Sequence, residues 1–211
     1  MLLAIDVGNT NTTFGVMKGD KLLLTFRMTT KLPRTSDECG SFILEVLRLH
    51  KLNTRDVEDI IISSVVPQVM YSLTSGVIKY LKKEPVIVGI GTRTGIKIAT
   101  GNPREIGADR IVDAVAGLNL YGGPIIVVDF GTATTYDLIS EDGSFLAGIT
   151  SPGIKICGVI QQNYLKLKLK NRIPFWRKIQ SQVCRQDWFT VRSDRQNISF
   201  VKLKKKADCL I

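Results

Sequence analysis

Apolar and polar positions alternate in short runs over the first thirty residues. Leu2 to Val7 is an apolar run of strand length, and Gly8-Asn9-Thr10-Asn11 is a turn-forming segment. Thr12 to Met17 and Lys21 to Met28 read as two further strands, joined by the hairpin connection Lys18-Gly19-Asp20. The period then lengthens. Thr35-Ser36-Asp37-Glu38 has the composition of a helix start, a capping residue followed by acids in the first turn. Phe42, Ile43, Val46, Leu47 and Leu49 recur near the 3.6-residue spacing of one helical face. Val57 to Ser63 predicts a strand, Pro67 opens a second helix, and Glu84 to Ile90 predicts another strand. A helix rich in small residues is expected over Gly107 to Leu120. Strands follow at Pro124 to Asp129, Thr134 to Ile139 and Ser144 to Ile149. The order is a β-meander, then alternating helix and strand, then a second meander, an α/β chain with a suspected internal duplication.

The two meanders share more than layout. Asp6-Val7-Gly8-Asn9-Thr10 and Asp129-Phe130-Gly131-Thr132 each follow an apolar strand with a carboxylate, a glycine two residues on, and a threonine. Glycine lets backbone approach a phosphate closely, and successive N–H groups of such a turn form an anion-binding concavity. Threonine and asparagine add donors, while the carboxylate suits a cation or its water shell. One such motif alone reads equally well as a strand closed by an Asx-type turn. Two copies about 120 residues apart are far more specific.

Between them lies Asn102-Pro103-Arg104-Glu105-Ile106-Gly107-Ala108-Asp109-Arg110, and Ser151-Pro152-Gly153-Ile154 follows the second. Together these motifs resemble the type III pantothenate kinases, in order and at family-like spacing from Met1 to about Cys157. The resemblance implies the acetate-and-sugar-kinase/actin-like fold, two ribonuclease H-like domains. They would span residues 1–112 and 113–157, the second incomplete, before a basic tail at 158–211 that is expected to be frameshifted and poorly ordered. It implies ATP-dependent phosphorylation of pantothenate to 4'-phosphopantothenate, the first step of coenzyme A synthesis. Asp6, Val7, Gly8, Asn9, Thr10, Asn11, Thr12 and Thr13 would form the first ATP-phosphate loop, with Asp6 near Mg²⁺, and Thr132 would touch ATP. Gly107, Ala108, Asp109 and Arg110 would line the pantothenate pocket, with Asp109 the catalytic base. Asp129 would bind the monovalent cation, K⁺ or NH₄⁺, and a complete second domain would bring a homodimer. One departure is that Thr100 stands where the family often has tyrosine. The residues' own chemistry agrees: phosphoryl transfer needs positioning and charge neutralisation, a kinase aspartate orients the hydroxyl and takes its proton late, and Arg110 suits two-point pairing with a substrate carboxylate. Without the flanking motifs, Asp109-Arg110 would read as a helix-surface ion pair.

Composition changes the picture in one place. The chain of 211 residues carries a net charge of +10, yet the last 55 residues hold 13 basic and 3 acidic residues, which leaves 16 of each in the first 156. The tail also holds both tryptophans, three of the four cysteines and a single glycine. A basic pI of about 9.6 therefore describes the tail and argues no nucleic-acid function for the rest. Lys166, Lys168 and Lys170 alternate with leucine, more a solvated face than a nucleic-acid site. No apolar run reaches the length of a membrane span, and an acid at position six argues against a signal peptide, so a cytoplasmic protein without membrane partners is expected. The cysteines show no metal spacing, His50 suits a helix C-terminus, and Cys39 reads as a plain small helical residue.

The tail reads as out of frame. If each codon is taken from the last base of the one before it, Ile179 to Thr190 can be spelled to give Thr-Val-Ser-Ser-Met-Gln-Ala-Gly-Leu-Val-Tyr-Gly, which resembles the family's Asn-Thr-x-x-Ser-Met-x-x-Gly segment. Its threonine contacts pantothenate in the family. A diverged C-terminus is the competing reading. The second half-sheet would then lack its covering helices and leave apolar faces and a strand edge open. The rival function is a non-catalytic, nucleotide-binding regulatory relative of the same fold.

Overall fold

The computed structural model describes residues 1–30, 33–89, 91–154 and 156–157, and the backbone of 189–194 and 197–202. Lys166, Lys168, Lys170, Trp176, Trp188 and most of the segment with the shifted reading lie outside the described residues. The chain forms two compact units, one of Met1–Thr94 and Arg104–Val112, the other of Gly95–Pro103 and the described residues from Asp113 on.

In the first unit β1 (Leu2–Val7), β2 (Asn11–Lys18) and β3 (Lys21–Thr29) form an antiparallel meander. Gly19 turns the second hairpin at φ +56°, a left-handed conformation that costs a residue without Cβ little. After α1 (Ser36–Leu49), β4 (Asp59–Ser64) returns parallel to β1. After α2 (Pro67–Leu81), β5 (Val86–Ile87) lies parallel to β4, giving the order β3-β2-β1-β4-β5. Parallel neighbours need such long crossovers. Register decides which face is covered. Leu3, Ile5 and Val7 stand beside Val16, Phe14 and Thr12, and Leu3 and Ile5 beside Ile60 and Ile62, all on one face. Onto that face pack Cys39, Ile43 and Leu47 of α1 and Leu73 and Val77 of α2. Phe14 stacks on Phe26 with ring centres 4.7 Å apart, and Phe42 closes over both. Burial pushes the Cys39 thiol up, in keeping with a plain core residue.

The expected helix start is present as a complete capping box. The Thr35 hydroxyl accepts from the Glu38 N–H, and the Glu38 carboxylate accepts from the Thr35 N–H at 2.7 Å. His50 is the C-cap. The two helices approach closely: a methyl at Gly76 would stand 2.5 Å from the Ser36 carbonyl oxygen, and Lys79 and Tyr80 both donate to Asp37. Two sequence expectations shift. Residues 54–56 form a 3-10 turn that Val57 closes, so β4 begins at Asp59, and the strand expected over Glu84 to Ile90 pairs only at Val86–Ile87.

The second unit contains β6 (Lys97–Ile98), β7 (Ile125–Phe130), β8 (Ala133–Ile139) and β9 (Ser144–Pro152), then β10 (Phe189–Asp194) and β11 (Asn197–Lys202), in the order β11-β10-β7-β8-β9-β6. The helix α3 (Ala108–Tyr121) begins among residues of the first unit. Its second-unit portion lies on β7, where a methyl at Gly117 would stand 2.8 Å from Ile125 Cδ1. β7, β8 and β9 repeat the meander of β1, β2 and β3, with Gly143 at φ +78° in the second hairpin. The sequence missed β6, two residues that pair parallel with β9. The β7 edge, which the sequence leaves open, is paired by β10, and the pairing is antiparallel where β1 has the parallel β4.

Candidate active site

The first phosphate-type turn is built where β1 ends. Val7 is buried, its carbonyl accepts from the Val65 N–H, and the Gly8 N–H donates to the Asn11 carbonyl at 3.1 Å. Asn9, Thr10 and Asn11 are exposed at the tip. Thr12 points the other way: it is 2% exposed, and its hydroxyl lies 2.9 Å from that of Thr30. Thr30 in turn donates its hydroxyl to the Gly8 carbonyl at 2.8 Å and its N–H to the Thr10 carbonyl at 3.0 Å. With the Thr30 proton committed to Gly8, Thr12 is the donor to Thr30. The turn is thus held from beneath by two hydroxyls, and its polar tip is left outward. Sequence reasoning missed Thr30, which stands outside the motif and joins it only through the β2–β3 register.

The second turn repeats this construction with one residue fewer. Asp6 pairs across its hairpin with Thr13, and Asp129 with Thr135. The Gly131 N–H donates to the Ala133 carbonyl at 2.9 Å, as Gly8 does to Asn11. Carried along the registers, the position of Thr30 becomes Gly153, whose N–H donates to the Thr132 carbonyl at 3.1 Å. A side chain is excluded there, because a Cβ would collide with the Thr132 carbonyl and stand 2.6 Å from that of Gly131. One turn is braced by a hydroxyl and the other by direct backbone contact. Thr132 is exposed and Asp129 half-buried, with Oδ2 3.3 Å from where a methyl at Gly131 would sit.

Within the first unit the structure also brings Asp109 to Asp6. Asp109 is the second residue of α3, and its carboxylate accepts from the Arg110 N–H at 2.8 Å. Gly107 lies directly beneath it: a Cβ there would meet Asp109 Oδ1 and displace the carboxylate, and would stand 3.2 Å from Val65. Ala108 and Arg110 are half-buried beside it. The pKa of Asp6 is pushed up to about 6, first by burial and then by the negative charge of Asp109. Asp6 retains solvent-accessible surface, so the burial is a crowding of protein atoms around an open carboxylate rather than enclosure. Beside it on the sheet, Asp6 stands level with Ser63 of β4. The Ser63 hydroxyl is buried and has no hydrogen-bond partner among the described residues.

This oxygen set suits a divalent cation held jointly with phosphate. Two mutually repelling carboxylates and an orphaned hydroxyl gain from a positive charge, and no group of three or more His, Cys, Asp or Glu among the described residues forms a complete protein cage. Mg²⁺ is commonly bound in this way, by one or two carboxylates with substrate phosphates and water completing the shell. No helix among the described residues is long and apolar enough to cross a membrane.

Comparison with known proteins places the chain in a family and a fold. A solved structure of a putative N-acetylglucosamine kinase from Porphyromonas gingivalis superposes with a TM-score of 0.52 at 15% identity. The match covers 87% of this chain and 62% of that one, and it shows the acetate-and-sugar-kinase/actin-like fold. A type III pantothenate kinase of Agathobacter rectalis is 58% identical over 156 residues, 74% of this chain and 60% of the relative. One of Bifidobacterium animalis subsp. lactis is 47% identical over 154 residues, 73% of this chain and 61% of the relative. The chain therefore spans about three-fifths of the length of these relatives. The family model for type III pantothenate kinase matches residues 2–171, and the chain belongs to that family.

Proposed function

We propose that this chain carries the phosphate-binding and proton-accepting machinery for transfer of the γ-phosphate of ATP to the hydroxyl of pantothenate, yielding 4'-phosphopantothenate and ADP. The observation that carries the reading is the Asp6–Asp109 pair beside the Gly8 turn, in a member of this kinase family. The N–H groups and polar tips of the Gly8 and Gly131 turns receive phosphate oxygens. Asp109 orients the pantothenate hydroxyl and accepts its proton as the oxygen–phosphorus bond forms and the bond to ADP breaks. Arg110 pairs with the pantothenate carboxylate. Asp6 and Ser63 hold the water shell of Mg²⁺, which when bound neutralises phosphate charge. Asp129 would hold the monovalent cation, which when bound would supply positive charge beside the phosphates. Acting on two small molecules, the protein works in the cytoplasm with no nucleic-acid or membrane partner.

A second reading, nucleotide binding without turnover, is favoured by one observation: β10 lies antiparallel on β7 where the first unit has a parallel strand. The test is incubation with Mg·ATP, K⁺ and pantothenate, with 4'-phosphopantothenate followed by mass spectrometry. Product that Asp109→Asn abolishes supports catalysis. ATP binding by calorimetry without product supports the second reading.

A further inference from the structure

The registers of the first unit bring an arginine to the Asp6 face that no motif contains. Asp6 of β1 pairs with Thr13 of β2, and Thr13 in turn pairs with Arg27 of β3. On the other side Asp6 stands level with Ser63 of β4. Directly paired residues share a face, so Arg27, Thr13, Asp6 and Ser63 form one row across four neighbouring strands. The row lies on the face opposite Phe14 and Ile62, the face that α1 and α2 cover. Asp109 marks one end of it, because Gly107 lies beneath its carboxylate and against Val65, the residue that follows β4. Arg27 marks the other end. Neighbouring strands are about 4.8 Å apart, so Arg27 stands two strands and about 10 Å from Asp6, with Thr13 between them.

Charge gives this position its meaning. Residues 6–13, which build the first turn, contain no lysine or arginine, while Asp6 and Asp109 bring two carboxylates to the same place. Bound phosphates add further negative charge. Arg110 belongs to the acceptor side with Asp109, whose carboxylate accepts from its N–H. Arg27 is exposed, and its side chain makes no hydrogen bond or ion pair among the described residues, which leaves its five N–H donors uncommitted. The planar fork of a guanidinium matches two phosphate oxygens at once.

We propose that Arg27 binds the β-phosphate of the nucleotide, on the leaving-group side of the transferred phosphate. The assignment rests on the kinase reading of Asp109. Attacking and leaving oxygens lie roughly in line on opposite sides of the γ-phosphorus. The attacking hydroxyl is held at Asp109, at the β4 end of the row, so the leaving oxygen lies toward the β3 end. As the pantothenate oxygen bonds to the γ-phosphorus and its proton passes to Asp109, the bond to the bridging oxygen breaks and its electron pair stays on ADP. Arg27 donates N–H groups to the β-phosphate, where that charge collects. The contact is made to ADP as well as to ATP, since both carry this phosphate.

The test is isothermal titration of the full 211-residue chain with Mg·ATP and with Mg·ADP. Arg27→Met should weaken both by about 10–100-fold, the worth of a lost charge-assisted, two-point contact. Arg27→Lys, which keeps the charge without the planar fork, should recover part of the loss. Lys21→Met, at the far end of the same strand and about 20 Å away, should change neither affinity. Circular dichroism melting of each variant checks its folding, and Arg27→Gln serves if Arg27→Met fails to fold. A folded variant that binds both nucleotides as the parent does makes Arg27 an ordinary charge on an edge strand and overturns the proposal. Loss confined to Mg·ATP would put the guanidinium on the γ-phosphate, and equal loss in Lys21→Met would reduce Arg27 to general surface charge. Either result also overturns it. A parent chain that binds both nucleotides without forming 4'-phosphopantothenate sinks the kinase reading alone, because the titrations read the Arg27 contact without turnover. A parent that binds neither nucleotide overturns both.

Discussion

Thr30→Val removes one hydroxyl while keeping the volume and β-branch of the side chain. Two hydrogen bonds are lost, 2.9 Å to the Thr12 hydroxyl and 2.8 Å to the Gly8 carbonyl. Each is worth about 1 kcal/mol net, and the Thr12 donor, 2% exposed, is left without its acceptor, which costs about 1–3 kcal/mol by itself. Counting the orphaned Thr12 donor in place of its lost bond and adding about 1 kcal/mol for the Gly8 bond, the total is about 2–4 kcal/mol, or roughly 4–16 °C in Tm for a chain of this size. Because the braced carbonyl belongs to the phosphate turn, Mg·ATP affinity should fall about tenfold, the equivalent of 1.4 kcal/mol. Thr30→Ser, which keeps the hydroxyl, should restore most of both. The double variant Thr12→Val/Thr30→Val removes the orphaned donor with its acceptor, so it should be less destabilised than the sum of the single variants. Urea unfolding and isothermal titration with Mg·ATP measure both quantities. A Thr30→Val chain with unchanged stability and unchanged ATP affinity would refute the two-hydroxyl brace. Additive effects in the double variant would refute the coupling between Thr12 and Thr30.

Three further outcomes are expected. The raised pKa of Asp6 means that the fold favours its protonated form. The stability from this group is present below pH 3.8 and is lost as pH rises through about 6, so the Tm advantage of Asp6→Asn over the parent should grow between pH 4 and 7 without ligands. A constant difference across that window would show that Asp6 titrates normally. Gly153→Ala forces a Cβ against the Thr132 and Gly131 carbonyls and should destabilise the second unit by about 1–3 kcal/mol, with unchanged urea unfolding counting against that close approach. In the gene, codons 179–190 read one base early should spell the Ser-Met-bearing peptide, and codons incompatible with it would establish a genuinely diverged tail.

The elements that sequence located well are those fixed by local chemistry. Thr35 and Glu38 announce the start of α1, Gly19 a hairpin, and the Asp-x-Gly-x-Thr repeats the two turns at strand ends. What stayed hidden depends on register or on a distant partner. Thr30 looks like any threonine at the end of a strand until β3 is laid beside β2. Ser63 becomes noticeable only when β4 is aligned with Asp6. Gly153 was visible as part of a motif, but its equivalence to Thr30 appears only through two sheets of matching register. β6 is two residues long and pairs with β9 over forty positions away, too short for any periodicity to mark. The antiparallel β10 lies in a stretch whose composition differs from the rest, where local pattern and family pattern both fail.

The central claim is that residues 1–157 hold pantothenate kinase chemistry centred on Asp109. Joining these residues to the remainder of the Agathobacter rectalis relative and measuring steady-state phosphorylation of pantothenate tests it directly. The account predicts 4'-phosphopantothenate formation that depends on ATP, with kcat lowered about 10²–10⁴-fold by Asp109→Asn, the usual worth of a general base. A folded, ATP-binding chimera that makes no product, or one whose kcat is indifferent to Asp109→Asn, would contradict it.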